Sequence, residues 1–326
     1  MNILLTGASG FVGSHILDHL RAHNLPTALL LRTASNPRFI EPHLPGVEVR
    51  RGSLDDPDSL RPALAGMTHV IHCAGATRAR RISDFYAVNE QGTRNLINAV
   101  NAWQGGVQRF VHVSSLAAAG PGASDKPARE TDPPRPVSEY GKSKLAGELV
   151  VRTHCRAEYV ILRPPVVYGP RDVEFLRLFR AVKNHLLPNP GVNQPLSLVF
   201  VRDLAQAVIT CLDHPAAAGK TYFVASKEIV TAQIMAREIA AQMQVWTLPV
   251  PLPLAFLWAL CLAREVLSRL TGEADVLSLQ KFAELRAPGW VCNPTLLEHE
   301  TGCVCPTSLA AGVAETLAWY RQHHWL

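Results

Sequence analysis

Short apolar runs alternate with amphipathic stretches through the first half of the chain. Residues 2–10 (NILLTGASG) form an apolar run ending in glycines, and Phe11 to Arg21 then carry a helical repeat. Further strand patterns follow at 27–32 (TALLLR), at 46–54 (GVEVRRGSL, more polar) and at 68–75 (THVIHCAG). Two more come at 107–115 (VQRFVHVSS) and 158–169 (EYVILRPPVVYG), and helical patterns such as NEQGTRNLINAVNAW (89–103) lie between most of them. Strand alternating with helix predicts an α/β fold of the Rossmann type, a doubly wound parallel sheet with helices on both faces.

The pattern changes after Tyr168–Pro170. Apolar helices (EFLRLFRAVKNHL, 174–186; DLAQAVITCLDHP, 203–215) are then broken by Pro-rich loops. This predicts a nucleotide-binding domain over 1–170, with later segments crossing back at about 196–225. The remainder of 171–326 reads as an interrupted, mostly helical substrate-binding cap. The polar, Pro-rich stretch 122–136 (GASDKPARETDPPRP) is a loop, placed where substrate contacts are common.

Composition narrows the function. Apolar residues make up 48% of the 326, enough for a large core, and the formal charge is only +5 with no dense Lys/Arg block. That speaks against a nucleic-acid partner. Seven irregularly spaced cysteines are an odd count, which argues against a disulfide framework and for a reducing, cytoplasmic setting. The N-terminus enters a strand directly and does not read as a signal peptide.

The stretch TGASGFVG puts Gly7, Gly10 and Gly13 at the first strand-to-helix turn. Such a turn lets backbone approach a pyrophosphate while the helix N-terminus faces it. At the tip of the second strand an acid would accept from a ribose hydroxyl. Here Arg32 stands, with Ser35 near, and a guanidinium suits a 2′-phosphate, so NADP is expected over NAD. Asp55 reads either as an adenine contact or as a helix N-cap.

In SEYGKSKLAGE (138–148), Tyr140 and Lys144 are four residues apart and share a helix face. An ammonium beside a phenol should lower the phenol pKa toward neutrality. Ser115 follows the fifth strand, at the end of a parallel sheet where sites open. Ser115 would hold a substrate oxygen and Tyr140 would move its proton.

These pieces together resemble the extended short-chain dehydrogenase/reductases, the NAD-dependent epimerase/dehydratase family. The matching stretches are TGASGFVG, Asp55 in GSLDD, HCAGAT from His72 to Thr77, and Asn89, Gly92 and Thr93 in VNEQGT. They continue with Ser114 and Ser115, YGKSK, RPPVVYGP from Arg163, and Asp203 in FVRDLA. The resemblance implies a catalytic Ser115, Tyr140 and Lys144, with Asn89 organising the site. It selects Ser115 over Ser114 by the five-residue spacing to Gly120. For the dinucleotide it implies Thr6, Gly7, Ser9, Gly10, Phe11, Val12 and Gly13 at the turn, and Leu54 and Asp55 at the adenine. Nearer the nicotinamide it implies Cys73, Ala74, Gly75, Thr77 and Val113, then Pro164, Val166 and Val167. Arg32 departs from the Asp of most sugar-nucleotide epimerases in the family.

The last third resembles the 3-beta-hydroxysteroid dehydrogenase-like and dihydroflavonol reductase-like branch, in 246–272 and in the terminal APGWVCNPTLLEHETG and SLAAGVAETLAWYRQHHWL. That implies a small apolar alcohol or ketone, steroid-like, lipid-like or aromatic, as substrate. The alternative is a nucleotide-sugar 4-epimerase with bound NAD, for which Arg177 and Arg180 could hold a second phosphate. Leu116, Ala117 and Ala118 after Ser115 offer no general acid for a dehydratase. The apolar run Val245–Ala263 is a core helix, a lid, or a peripheral membrane contact through 250–270. Cys292, His299, Cys303 and Cys305 lack the paired spacing of a zinc site, and no metal is expected. A homodimer through the helices at 89–103 and 140–155 is expected from the resemblance.

Overall fold

The computed structural model describes residues 1–189, 193–251, 255, 258–259, 261–264 and 279–326. The main sheet has strands β1 (Ile3–Thr6), β2 (Thr27–Leu31), β3 (Glu48–Arg51), β4 (His69–His72), β5 (Arg109–Val113) and β6 (Glu158–Arg163), joined by a later strand, Lys220–Phe223. The spatial order is β3-β2-β1-β4-β5-β6 with Lys220–Phe223 outermost, and every pairing is parallel. Strand order therefore reverses between β1 and β4, and the crevice above that switch point is where an open parallel sheet takes a ligand.

Both faces of the sheet are covered, which is why its strands read as nearly continuous apolar runs. On one face α1 (Phe11–Ala22) and the helix Val201–Asp213 pack over Leu5, Ile71, Val111 and Leu162. On the other lie α2 (Pro57–Ala63) and, after the short α3 (Ile82–Tyr86), α4 (Thr93–Ala102). The four-residue α5 (Leu116–Ala119) follows, and then α6 (Glu139–His154), whose neighbours on this face include Val70, Phe110 and Ile161.

Two sequence expectations change. The run 158–169 is two strands: β6 ends at Arg163, and Val166–Tyr168 pairs with Leu196–Phe200 in a separate three-stranded sheet. Pro164 and Pro165 supply no backbone N–H to continue the ladder, so the chain leaves the main sheet there. The pattern at 89–103 opens with a π-helical segment, Ala87–Gly92, before α4 begins. Helices dominate the region after 170, as expected, with short strands between them. It holds the small sheets Val166–Tyr168/Leu196–Phe200/Ile229–Val230 and Leu186–Asn189/Leu248–Pro251, around a core of Tyr168, Phe179, Phe200, Ile239 and Tyr320.

Most of the run 250–270, with its core-helix, lid and membrane-contact alternatives, lies outside the described residues. Among the described residues no helix is long and apolar enough to cross a membrane. No three His, Cys, Asp or Glu side chains among them are grouped to hold a metal, and Cys292 and Cys303 are buried. All seven cysteines are free thiols.

Candidate active site

The turn after β1 fits a pyrophosphate. Gly7 has φ +77°, a left-handed conformation that costs glycine little, and a Cβ there would stand 2.6 Å from Ala74 N in the turn after β4. A Cβ on Gly13 would stand 2.1 Å from Gly7 O, so α1 can seat against the turn only without a side chain. Gly10 N–H donates to Gly7 O at 3.0 Å, and Gly10 opens α1 with no side-chain cap. The helix N-terminus, with no acid in its first turn, is thus presented to an anion beside Ser9, Phe11 and Val12.

Arg32 is exposed at the tip of β2, and its carbonyl closes a turn with Ser35 N–H at 3.0 Å. Arg51, the last residue of β3, reaches the same carbonyl with a guanidinium N–H at 3.4 Å. Sequence reasoning missed Arg51; the signal was its place opposite the β2 tip, legible only after the β2–β3 register (Leu31 with Arg51) is known. Asp55 lies close to Arg32. A hydrogen bond from Ser53, with a smaller contribution from the Arg32 charge, holds its carboxyl below the usual range. The helix-cap alternative for Asp55 is overturned, since Asp56 occupies the N-cap of α2. Leu54 packs against Gly92, and its carbonyl accepts from Asn95 Nδ2 at 2.7 Å.

The residues expected to be catalytic converge at the C-terminal ends of β4, β5 and β6. Ser115 caps α5, accepting from Ala117 N–H at 3.1 Å, and its hydroxyl shares a hydrogen bond with the half-buried Tyr140 phenol. Lys144 is buried one turn further along α6 and donates to Val113 O at 2.9 Å. A Cβ on Gly75 would stand 3.1 Å from Asn89 Oδ1 and 3.6 Å from Lys144 Nζ, so the turn after β4 (Cys73, Ala74, Gly75) borders both. Thr77 is exposed a little beyond. Pro164 is buried and accepts from Leu116 N–H at 2.8 Å, Val167 is half-buried, and Val166 is exposed.

The choice between adjacent serines has a structural cause. Ser114 faces the sheet interior and donates to Glu148 Oε1 at 2.6 Å. Glu148 also accepts from Arg163 at 2.9 and 2.7 Å and from Arg152 at 3.0 Å. Ser114 is therefore committed to a buried ion-pair network, and Ser115, pointing the other way, is left to the site.

The expected effect of Lys144 on Tyr140 is not what the structure gives. Burial pushes the Tyr140 phenol up to about 12, against the Ser115 hydrogen bond that pulls it down. Burial brings the Lys144 ammonium down to about 8, with Cys73 and Glu148 opposing. Desolvation dominates both groups. Lys144 spends one N–H on Val113 O, and burial favours the protonated form of the Tyr140 phenol.

A description of the NAD dependent epimerase/dehydratase family matches residues 3–225, from β1 past the outermost sheet strand. UDP-glucose 4-epimerase of Vibrio cholerae is 31% identical over 84% of this chain and 87% of its own length. Ceramide reductase of Caulobacter vibrioides is 31% identical over 99% of this chain and 96% of its own. The crystal structure of UDP-glucose 4-epimerase from Thermus thermophilus in complex with NAD superposes with a TM-score of 0.77, at 25% identity, over 98% of this chain and 99% of that one. One match thus runs unbroken through phosphate turn, Ser115 and catalytic helix, and the chain belongs to the NAD-dependent epimerase/dehydratase family and is an NAD(P)-dependent enzyme.

Proposed function

We propose that this enzyme is an NADP-preferring reductase of a ketone on an apolar, lipid-like or alicyclic molecule, running the secondary-alcohol oxidation in reverse. The observation that carries this reading is the surface beside the phenol. Leu116, Ala117, Phe223, Ala225, Trp290 and Cys292 form a buried cluster on which Tyr140 packs, and Phe85 lies 6.1 Å from its ring. An apolar wall gains from an apolar substrate and gives nothing to a second pyrophosphate.

Three of the cap cations that a nucleotide sugar could use have partners elsewhere. Arg177 pairs with Glu174 at 3.3 Å, Arg180 donates to Trp325 O at 3.3 Å, and Arg202 pairs with Glu315 at 2.9 Å. The similarity to a ceramide reductase over nearly the whole chain supports the same reading.

The dinucleotide supplies hydride exchange with the carbonyl carbon when bound. Ser115 holds the substrate oxygen, and Tyr140 gives that oxygen a proton in reduction and takes it back in oxidation. Hydride and proton together convert the ketone to the alcohol. Lys144, fixed on Val113 O, keeps two further N–H donors for a ribose hydroxyl and for the phenolate that forms. The chain's contribution is orientation and a placed proton.

Arg32 at the tip of β2, with the Arg51 guanidinium reaching its backbone carbonyl, supports NADP over NAD. Arg32→Ala should weaken NADP binding about 10–100-fold, the scale of lost charged hydrogen bonds, and change NAD binding far less. Fluorescence titration of both dinucleotides measures this, and equal losses remove the preference. The reaction itself is tested by following NADPH consumption with a panel of long-chain and cyclic ketones. NADPH consumed in step with alcohol formed is the expected result. Interconversion of UDP-glucose and UDP-galactose without net cofactor change would replace this reading with an epimerase.

A further inference from the structure

Beneath the catalytic helix lies a layer of buried polar side chains that the proton-transfer chemistry does not use. Thr6, His72, Thr93, Asn89 and Ser143 are each no more than 2% exposed. Their hydrogen bonds connect the turn after β4, which crowds Gly7, to the backbone of Tyr140 itself.

The direction of every bond can be assigned. Thr93 has one hydroxyl proton, and it goes to Asn89 O at 2.8 Å. The contact of His72 Nε2 with Thr93 Oγ1 at 3.0 Å must then carry the imidazole proton. Burial lowers the His72 pKa to about 3, so the ring is neutral and its Nδ1 is bare. Nδ1 accepts from Thr6 Oγ1 at 2.9 Å, and Thr6 Oγ1 accepts from Ala74 N–H at 3.2 Å. On the far side, Asn89 Nδ2 donates to Ser143 Oγ at 2.9 Å and to Ala76 O at 3.0 Å, and Asn89 Oδ1 accepts from Ala76 N–H at 2.8 Å. Ser143 Oγ donates to Tyr140 O at 2.8 Å.

Along the line from Ala74 N–H through Thr6, His72 and Thr93 to Asn89, and on through Ser143 to Tyr140 O, each donor points toward the catalytic helix, while the two bonds between Asn89 and Ala76 fasten Asn89 to the turn after β4. The π-helical turn Ala87–Gly92 is what lets Asn89 serve both halves, its carbonyl taken by Thr93 and its amide by Ser143. His112 tilts against His72 at 5.2 Å, but neither of its ring nitrogens has a partner, so it takes none of these bonds.

We infer that His72 and Thr93 are positioning residues that set Tyr140 and Lys144 through Asn89 and Ser143, keeping the catalytic helix in register with the phosphate turn. His72 must be the Nε2–H tautomer to do this. Neither residue touches substrate; each acts through Asn89. The inference rests on the roles given above to Tyr140 and Lys144.

Thr93→Val keeps the shape and removes the hydroxyl, taking away the acceptor of the His72 Nε2 proton and the side-chain donor to Asn89 O. The expected result is a fall in kcat of about tenfold or more per dinucleotide-binding site, as a small misplacement of a catalytic group produces, with KM for the dinucleotide within about threefold. Thr93→Ser, which keeps the hydroxyl and loses only a methyl, should restore kcat. A merely structural role would lower the folded fraction and leave kcat per binding site intact. Full kcat in Thr93→Val, or no rescue by Thr93→Ser, overturns the inference.

Nitrogen-15 NMR of His72 in the wild-type protein reads the tautomer without any substrate or variant. A single neutral Nε2–H form through the neutral range is expected, and an Nδ1–H or charged ring overturns the inference. If no ketone is turned over, the proposed function fails while the NMR result still decides this point.

Discussion

Tyr140→Phe should lower kcat by about 10²–10⁴-fold, the range for removing a placed proton donor, while dinucleotide affinity stays within a few-fold. In the proposed reaction the phenol carries the proton, and Ser115 hydrogen-bonds it directly. Removing one oxygen leaves the ring's packing on Leu116, Ala117 and Trp290 in place. The effect should therefore sit in kcat. A variant that binds dinucleotide as before and turns over as before would sink the catalytic assignment.

The pH profile follows from the same environment. With the phenol pushed up to about 12, Tyr140 keeps its proton through neutrality, which suits ketone reduction. Lys144, brought down to about 8, is charged below that pH and loses its charge as pH rises through it. Turnover in the reducing direction should be level from about pH 6 to 7.5 and decline on the alkaline side. A reducing rate that climbs from pH 6 to 8 would contradict a phenol held as an acid.

The second large effect is expected from a residue outside the chemistry. Glu148 is fully buried and takes four hydrogen bonds, two from Arg163, one from Arg152 and one from Ser114. Arg163 is 1% exposed. Glu148→Ala leaves a buried guanidinium without its counter-charge, which should cost about 3–5 kcal/mol of folding stability. That is a large share of the stability of an ordinary domain. Urea unfolding with an unchanged slope and a lower midpoint is the expected signature. Because the same carboxylate holds Ser114 away from the site, the variant should also lose activity beyond its lost stability. A midpoint within the error of the wild type would show that Arg163 finds other partners.

The sequence by itself determined the sheet and the position of the chemistry. Parallel strands buried on both faces are mostly apolar, so β1, β2, β4, β5 and β6 stand out, and a glycine turn set between such a strand and a helix points to a nucleotide. Spacing of four on a helix put Tyr140 and Lys144 on one face, and their placement in α6 follows from local periodicity alone. These are short-range properties, fixed by neighbours in the chain.

What the tertiary structure decided depends on residues far apart in sequence. The electrostatics of the pair reversed the simple expectation, because burial, a property of the whole packed core, outweighed the charge four residues away. Ser114 and Ser115 differ only in which side of β5 meets Glu148. Arg51 reaches the tip of β2 only through the β2–β3 register. The directed line of bonds from Thr6 through His72 and Thr93 to Asn89 and Ser143 joins β1, β4, the π-helical turn and α6. No local pattern encodes it, since a hydroxyl or an imidazole in a strand looks the same whether its partner is water or another buried side chain.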